Sequence, residues 1–453
     1  MHTEYDAIII GGGNAGLCAA ISAAEKGKRI LVLENAINST SGGNTRYTRD
    51  IRYMHDIDKY TSGAYSFKEM HDDLAGVSGN LLNEEMVSLV LNNSVDIPEW
   101  METHGVILKR EIRGTLNLAR TNIFFMGGGI ALINAYREKA KKLGVKILFN
   151  TEVTDLCVKN NRITALNVIT NNRKEHWDCK NVIVCSGGFE ANREWLVSIW
   201  GDKAKNFEIR GNISNTGKPL RSLIDSGAQI VGDPKGGHMV AVDARAPEHD
   251  GGIVTRIDAI PYGIVINKYG KRFYDEGEDI WPKRYAIWGH LVADQPDQIA
   301  YVITDSMSQG KFLPPIYPPI IAGSIAELAQ LIKVNKDSLE KTIKDFNNAG
   351  VIENGNGEFE SSGINTVPPK SHFYRTISTP PFYAIPVRPG MTFTYMGIRI
   401  KKDTRIVMAD GDLENGFAAG EIVSGNILKS GYLAGFGLTI GTVTGRIAGR
   451  EVM

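Results

Sequence analysis

Three glycines and one glutamate near the start of the chain have the residue types and spacing of a nucleotide site. Gly11, Gly13 and Gly16 form a G-x-G-x-x-G pattern, and Glu34 follows at the end of the next apolar run. Gly11 lets the chain turn sharply out of a strand, and Gly13 lets backbone N–H groups approach a pyrophosphate at the positive end of a helix. Gly16 lets that helix pack closely on the strand, and Glu34 can accept hydrogen bonds from a ribose. Together these residues predict a dinucleotide site.

A strand, a helix and a second strand must position these residues. Residues 5–10 are an apolar run that predicts a buried strand, and residues 30–33 predict a second one. Between them, residues 14–27 have apolar side chains at helical spacing, and Gly27 is a typical helix end. These flanking elements complete a βαβ unit, which a glycine-rich turn alone does not predict.

The bulk composition excludes several classes of protein. The chain has 453 residues, enough for two domains, and its 51 basic and 51 acidic residues give no net charge, so we expect no nucleic acid partner. Cys18, Cys157, Cys179 and Cys185 lack the spacing of an iron–sulfur, zinc or haem site and favour a reducing compartment. No apolar run reaches membrane-spanning length. We therefore expect no bound metal, no direct membrane insertion and a cytoplasmic location.

Five further segments predict regular structure. Residues 80–105 and 128–144 predict helices, and 162–169 with 174–180 predict a β-hairpin. Residues 181–185 predict another buried strand, which leads into a glycine-rich turn.

The order of these patterns predicts two domains. Near residue 235 the character changes to strand-like and loop segments, and from about residue 375 the strand and turn patterns return. We expect one domain from residues 1–235 and 375–453, with residues 236–374 inserted as a cap.

Four segments together carry a family resemblance. They are Gly11–Glu34, Ser41–Thr45, Cys185–Phe189 and Ala418–Ile422. The chain resembles the fumarate reductase/succinate dehydrogenase flavoprotein superfamily, whose FAD lies against such segments. The resemblance implies FAD and an α/β fold, with a Rossmann-type FAD-binding domain and an inserted α+β cap domain. The residues that it implies at the cofactor are Gly11, Gly13, Asn14, Ala15, Gly16, Glu34, Asn35, Ser41, Gly42, Gly43, Asn44, Thr45, Val153, Ser186, Gly187, Gly188, Gly420, Glu421, Gly437 and Leu438.

Within that superfamily, the chain is similar to the tricarballylate dehydrogenase family. The similar segments are 122–129, 250–256, 272–288, 389–395 and 430–441. This resemblance implies the oxidation of tricarballylate to cis-aconitate, with a hydride passing to flavin N5 and a proton to a base. It also implies a membrane iron–sulfur/haem protein as the electron acceptor.

Several positions depart from fumarate reductase and imply a different substrate. Phe393 lies where that family has a substrate-binding histidine, Tyr432 stands where it has a substrate arginine, and Arg256 replaces the acid of its Thr–Glu pair. Succinate or fumarate is therefore not the expected substrate. We still expect the reaction to be a desaturation of two adjacent carbons. No histidine lies between Glu34 and Thr45, where covalent relatives attach the flavin, so we expect FAD to be non-covalent.

The resemblance also implies which residues do the chemistry. Arg284 matches the proton-transferring arginine; a longer insertion before it leaves Lys283 as an alternative, and Tyr432 is a competing base. His238 matches a substrate histidine at the start of the cap. Guanidinium groups suit the substrate side because they bind carboxylates bidentately. The remaining substrate-side candidates are Thr255, Arg256, Arg120 and Phe393.

Three functions stay open at this point. The first is desaturation of a polycarboxylate by an FAD-dependent dehydrogenase. The second is a flavin-dependent desaturase or reductase of another activated substrate, such as an enone or a biosynthetic intermediate. The third is a flavin-binding electron-transfer or assembly subunit without a substrate of its own. A substrate that bleaches the bound flavin would separate the third from the first two.

Overall fold

The computed structural model describes residues 4–110, 118–250, 255–353 and 361–452, with 22 strands and 12 α-helices in those ranges. Residues 251–254 of the segment 250–256 lie outside the described residues. The strands are β1 (Ala7–Ile10), β2 (Ile30–Leu33), β3 (Asp50–Arg52), β4 (Leu108–Lys109), β5 (Asn122–Phe125), β6 (Lys146–Leu148), β7 (Thr151–Lys159), β8 (Arg162–Thr170), β9 (Arg173–Asp178), β10 (Val182–Val184), β11 (Glu208–Ile209), β12 (Ile230–Val231), β13 (Gly237–Asp243), β14 (Ile264–Asn267), β15 (Ala300–Asp305), β16 (Ile320–Ala322), β17 (Val351–Glu353), β18 (Ser361–Gly363), β19 (Phe382–Thr394), β20 (Gly397–Ile398), β21 (Arg405–Met408) and β22 (Gly411–Ala418). The helices are α1 (Asn14–Glu25), α2 (Phe67–Val77), α3 (Glu84–Asn92), α4 (Ile97–Thr103), α5 (Gly128–Lys142), α6 (Arg193–Trp200), α7 (Lys218–Asp225), α8 (Trp281–Arg284), α9 (Trp288–Ala293), α10 (Ile325–Leu331), α11 (Lys336–Asn347) and α12 (Phe436–Glu451).

The first sheet contains the predicted βαβ unit. Its strand order is β21-β22-β10-β1-β2-β6, and every neighbouring pair except β21–β22 is parallel. All the residues of β1 and β2 are buried, as expected for parallel strands covered on both faces. Helix α1 connects β1 to β2, so the predicted α/β fold with a Rossmann-type unit is confirmed.

The second sheet is built around the long strand β19. Strands β11, β13, β15 and β16 all pair with β19, and β14 pairs with β15. The sheet takes β11 and β19 from outside the predicted insertion at 236–374. The domain boundaries at 235 and 374 therefore stay predictions, and the sheet itself spans residues 208 to 394.

Two of the predicted local elements have different outcomes. The hairpin is confirmed as β8–β9, whose turn residues Asn171 and Asn172 have φ values of 48° and 60°. The single helix predicted at 80–105 is wrong, because α3 ends at Asn92 and α4 begins at Ile97. Pro98 in the first turn of α4 has no N–H to bond to a preceding turn, so a continuous helix would lose a hydrogen bond there.

The described helices include none with the length and apolarity needed to cross a membrane. The four cysteines are free thiols. Within the described ranges, no cluster of three or more His, Cys, Asp or Glu side chains could hold a metal ion.

A buried ion cluster lies beside strand β14 of the second sheet. The Arg272 guanidinium donates to both oxygens of Glu276, at 3.0 and 2.6 Å, and both side chains are almost fully buried. Glu276 also accepts the Val265 N–H at 2.8 Å. The Lys370 ammonium lies 4.0 Å from Glu276 and donates to two backbone carbonyls. The carboxylate of Glu276 therefore balances two buried cations.

Replacing Glu276 by Gln should destabilise the fold strongly. The change leaves Arg272 and Lys370 as unbalanced buried cations, which costs about 3–5 kcal/mol in the free energy of unfolding. Urea denaturation measures this quantity. The matched control is Asp345→Asn in α11, which breaks the exposed i,i+4 pair with Lys341 and should cost less than about 0.5 kcal/mol. Equal losses in the two variants would contradict the prediction.

Candidate active site

A cavity lies between the two sheets, along the N-terminal end of α1. Glu34 and Val153 line it near the end of β2, and Gly13 lines it at the start of α1. Glu421 follows on the C-terminal side, and Arg256 lines the part next to the second sheet. The cavity therefore connects the predicted cofactor residues with several of the predicted substrate residues.

The glycine loop fits a pyrophosphate at the start of α1. A Cβ at Gly16 would lie 1.9 Å from the Gly11 carbonyl oxygen, and Gly11 itself has a φ of 105°. Side chains at these positions are therefore excluded by backbone contact, and the strand and helix stay close together. Of the backbone N–H groups at this turn, that of Gly12 donates to Glu34 and that of Asn14 donates to the Thr45 hydroxyl at 3.0 Å. The start of α1 lines the cavity, and the positive end of a helix dipole favours an anion there.

Glu34 is fixed at the tip of β2 by two backbone donors. Its Oε2 accepts the Gly12 N–H at 2.9 Å, and its Oε1 accepts the Ala36 N–H at 2.9 Å. Burial raises the pKa of Glu34, and these hydrogen bonds oppose that rise. The carboxylate keeps further lone pairs on the cavity side, which suits the ribose hydroxyls of an ADP group.

Most of the predicted cofactor residues line the cavity. Those that do are Gly11, Gly13, Asn14, Ala15, Glu34, Asn35, Gly43, Asn44, Thr45, Val153, Ser186, Gly187, Gly420, Glu421, Gly437 and Leu438. The structure does not place Gly16, Ser41, Gly42 and Gly188 in the lining. Gly16, Gly42 and Gly188 instead allow close packing of neighbouring atoms, and the Ser41 hydroxyl donates to the Asn38 carbonyl at 2.7 Å.

Two buried carboxyl groups meet beside the cofactor part of the cavity. The Asn44 amide donates to Glu190 at 2.7 Å and to Glu421 at 3.2 Å. Glu421 also accepts the Thr394 N–H at 2.9 Å. Burial and the neighbouring Glu190 raise the pKa of Glu421 well above its usual range. The pair therefore keeps a proton, because two buried carboxylates so close together cannot both be ionised.

Four predicted substrate-side residues come together at the part of the cavity next to the second sheet, which we call the cap end. His238, Arg256, Phe393 and Tyr432 all line the cavity. His238 and Phe393 are paired on β13 and β19 at a β-bulge, where Thr392 has no partner on β13. The bulge changes the direction of the side chains, so that Thr392 and Phe393 both line the cavity although they are adjacent.

Three predicted site residues, Arg284, Arg120 and Thr255, lie outside the described cavity lining, and their roles stay predictions. The Arg284 guanidinium pairs with Glu278 at 3.0 Å, and the alternative Lys283 pairs with Asp73 at 2.7 Å. Of the residues at this turn, only the next one, Tyr285, is in the described cavity lining. Arg120 is about half exposed and pairs with Glu69 at 3.0 Å.

Thr255 is the third residue outside the cavity lining. Its carbonyl accepts the Asp243 N–H at 2.9 Å, which pairs this segment with the edge of β13. Neighbouring side chains on an extended segment point to opposite faces, so Arg256 faces the cavity and Thr255 does not.

Several polar cavity residues were not predicted from the sequence, and two of them matter for the chemistry of the site. Arg210 follows the short strand β11, and Tyr285 follows α8 directly. A two-residue strand has no readable periodicity, so no sequence signal marks Arg210. The sequence did contain a signal for Tyr285. It is adjacent to Arg284, so a shift of one residue in the match to the family's arginine reaches it.

Two buried guanidinium groups give the cap end its charge. Arg256 donates from Nε and Nη2 to the two oxygens of Asp258, both at 2.7 Å. Burial opposes its charge, but Asp258 prevails and raises the pKa of Arg256. Arg210 forms no ion pair with a described residue, and its Nη1 donates to the Thr392 hydroxyl at 3.0 Å. Burial and the charge of Arg256 lower the pKa of Arg210 to about 10, so it remains a cation at neutral pH.

His238 is a neutral polar group at the cap end. Burial and the charges of Arg210 and Arg256 lower the pKa of His238 well below its usual value. Its Nε2 is buried and has no hydrogen-bond partner among the described residues. His238 stacks on Tyr432, with ring centroids 4.3 Å apart, and the Tyr432 hydroxyl accepts the Gly437 N–H at 2.9 Å.

The fold and this cavity are those of a flavoprotein, and comparisons with known proteins agree. The FAD binding domain family matches residues 6–438, and the chain belongs to that family. It therefore binds FAD, and its relatives support the predicted fumarate reductase/succinate dehydrogenase flavoprotein superfamily.

Two curated relatives and one solved structure illustrate this similarity. NADH:fumarate oxidoreductase of Klebsiella pneumoniae (strain 342) is 24% identical, over 93% of this chain and 45% of its own length. NADH:acrylate oxidoreductase of Vibrio harveyi is 26% identical, over 100% of this chain and 50% of its own length. The chain thus spans about half the length of these relatives. The open conformation of a flavocytochrome c3 fumarate reductase has a TM-score of 0.75 and 21% identity, covering 99% of this chain and 78% of that one.

Bound FAD should leave the protein on acid precipitation. The one cysteine among the described cavity residues is Cys185, and burial raises the pKa of its thiol, so it does not offer a thiolate for attachment. We expect a colourless pellet and a fluorescent supernatant. Yellow colour that stays with the pellet would contradict non-covalent binding.

Replacing Glu34 by Ala should weaken FAD binding. The loss of one charged hydrogen bond costs about 1–3 kcal/mol, which is about 5- to 150-fold in Kd. Titration of the apoprotein with FAD gives this value. Glu340→Ala, at an exposed position on α11, is the control and should bind FAD like the wild type.

Proposed function

We propose that this chain is an FAD-dependent oxidoreductase that acts on the CH–CH or C=C bond of a polycarboxylate. The proposed reaction is the oxidation of tricarballylate to cis-aconitate. The observation that carries the proposal is Arg210, a buried guanidinium that lines the cavity and has no carboxylate partner among the described residues.

An unbalanced buried cation favours a negatively charged ligand. Isolated buried charges are costly, and a carboxylate that pairs with Arg210 would remove this cost. Arg256 adds a second guanidinium to the same cavity, and no described residue accepts a hydrogen bond from its Nη1. Arg49 lines the cavity too, 3.6 Å from Asp50. Three guanidinium groups suit a substrate with several carboxylates.

The proposed reaction requires placement more than acid strength. FAD supplies the acceptor for a hydride when it is bound. The arginines bind the carboxylates and so orient the carbon to be oxidised, and this placement accounts for a large part of the barrier. The two curated relatives are named for fumarate and acrylate, both unsaturated carboxylates, which supports the same class of substrate.

The proposed function includes an electron acceptor and a cellular location for the protein. A membrane iron–sulfur/haem protein would take the electrons, and the chain would work in the cytoplasm. Reoxidation of the reduced protein by membranes, measured against the rate without them, tests the first point.

A second candidate function has its own observation. Four aromatic rings, those of His238, Tyr285, Phe393 and Tyr432, line the cap end. Such a wall suits a flat conjugated substrate, and the tyrosine hydroxyls could hydrogen-bond to a carbonyl. This favours an enone or a biosynthetic intermediate as the alternative substrate.

Replacing Arg210 by Met should weaken the binding of tricarballylate. The lost charged hydrogen bond is worth about 1.5–3 kcal/mol, which is about 10- to 150-fold in Kd. Anaerobic bleaching of the flavin against tricarballylate concentration gives the affinity. In the wild type, succinate should bleach the flavin poorly.

The control for this variant is Arg388→Met, on β19 but outside the described cavity lining. It should bind tricarballylate normally. If an enone bleaches the wild-type flavin and no polycarboxylate does, the second candidate function replaces the first.

A further inference from the structure

We propose that Tyr285 is the group that exchanges a proton with the substrate carbon next to the one that exchanges the hydride. This inference rests on the proposed function and names the catalytic residue of that same site. It moves the role predicted for Arg284 to the adjacent residue.

Tyr285 has the position that such a group needs. It begins the short 3-10 turn Tyr285–Ile287, which follows α8 directly. Its side chain is 4% exposed and lines the cavity at the cap end. No described residue forms a hydrogen bond with its hydroxyl, so the O–H is available to a substrate. The Arg284 and Lys283 side chains, in contrast, form ion pairs outside the cavity lining.

Arg256 and Arg210 stabilise the Tyr285 phenolate that remains after proton donation. The Arg256 guanidinium carbon lies 4.9 Å from the centre of the Tyr285 ring. Burial raises the pKa of Tyr285 to about 12, and the charges of Arg256 and Arg210 oppose that rise. At neutral pH the residue therefore carries its proton, and its conjugate base is favoured by positive charge.

Tyr432 is the competing tyrosine, and its surroundings suit proton transfer less well. Its hydroxyl already accepts the Gly437 N–H at 2.9 Å. Burial and the neighbouring Tyr285 raise the pKa of Tyr432, and the hydrogen bond from the Gly437 N–H opposes that rise. At Tyr285 the charges of Arg256 and Arg210 favour a phenolate, against burial and Asp50, whereas at Tyr432 a backbone N–H does so.

The proton, the hydride and the electron pairs are accounted for in both directions of the reaction. In oxidation, the Tyr285 phenolate takes a proton from one carbon, the electron pair of that C–H bond becomes the second bond of C=C, and the hydride leaves the neighbouring carbon for FAD. In reduction, reduced FAD would supply the hydride that adds to one carbon of C=C, and the electron pair of the double bond takes the proton of the Tyr285 O–H at the other carbon. The phenolate then regains a proton from solvent.

The oxidative direction should be faster at higher pH. It needs the phenolate, whose fraction rises about tenfold per pH unit below the pKa. The charged or titratable groups that face Tyr285 are Arg256, Arg210, Asp50, Arg49, His238, Tyr432 and Tyr395. His238 stays neutral, and Arg210 stays charged up to about pH 9 because its pKa is about 10. The rise below about pH 9 therefore reports a phenolate, and the Tyr285→Phe and Tyr432→Phe variants identify the tyrosine that carries it.

The test is Tyr285→Phe in the FAD-loaded protein. At saturating tricarballylate, the rate of anaerobic flavin reduction should fall by about 10²-fold or more, as expected when a positioned proton-transfer group is lost. FAD content and the Kd of tricarballylate, measured from the perturbation of the flavin spectrum, should stay unchanged. The remaining rate should no longer rise with pH.

Tyr136→Phe is the matched control. Tyr136 is also buried, and its hydroxyl has no hydrogen-bond partner among the described residues and does not line the cavity. This variant should reduce at the wild-type rate, so the loss of a buried hydroxyl as such is not the cause of the effect.

The outcomes separate this inference from the proposed function. If wild-type protein responds to tricarballylate while Tyr285→Phe reduces at the same rate, or if the wild-type rate is flat below about pH 9, the role of Tyr285 is overturned and the proposed function stands. If Tyr432→Phe loses the rate and Tyr285→Phe does not, Tyr432 is the proton-transfer group. If the wild type neither binds nor responds to any polycarboxylate or enone, the proposed function and the role of Tyr285 are both overturned.

Discussion

The cavity depends on direct contact between the backbones of α1 and α12. A Cβ at Gly445 would lie 2.4 Å from the Ala15 carbonyl oxygen, and one at Gly449 would lie 2.2 Å from that of Ala19. The Asn14 side chain donates to the backbone and side chain of α12, at 3.1 and 2.9 Å. Side chains at these glycines would force the helices apart. The C-terminal residues of the cofactor site would then move away from the glycine loop of the first strand.

The cap end of the cavity contains two buried guanidinium groups. Arg256 has its counter-ion in Asp258, whereas Arg210 has none among the described residues. The two cations repel each other. Burial and the charge of Arg256 lower the pKa of Arg210, and burial and the charges of both arginines lower the pKa of His238. A ligand with several negative charges would relieve this repulsion, and the same field favours a phenolate at Tyr285. Substrate preference and proton transfer therefore have a common electrostatic origin in the proposed function.

The cofactor half of the site could be predicted from the sequence because it depends on local backbone requirements. Gly11 and Gly16 are needed wherever a strand turns sharply into a closely packed helix, and Glu34 follows at a spacing set by that unit. The Asn171–Asn172 turn likewise specifies the β8–β9 hairpin through its positive φ angles. Each of these signals lies within a short segment, so a single sequence contains the whole of it.

The substrate half was decided by the tertiary structure. Adjacent residues in a helical turn point about 100° apart, so only the packing of α8 determines that Tyr285 faces the cavity while Arg284 pairs with Glu278. Arg210 reaches the cavity because β11 pairs with β19, whose residues lie more than 170 positions later in the chain. By itself, the sequence determined the FAD-binding unit and the types of side chain available. The direction and meeting of the side chains at the cap end depend on long-range packing, which no local pattern records.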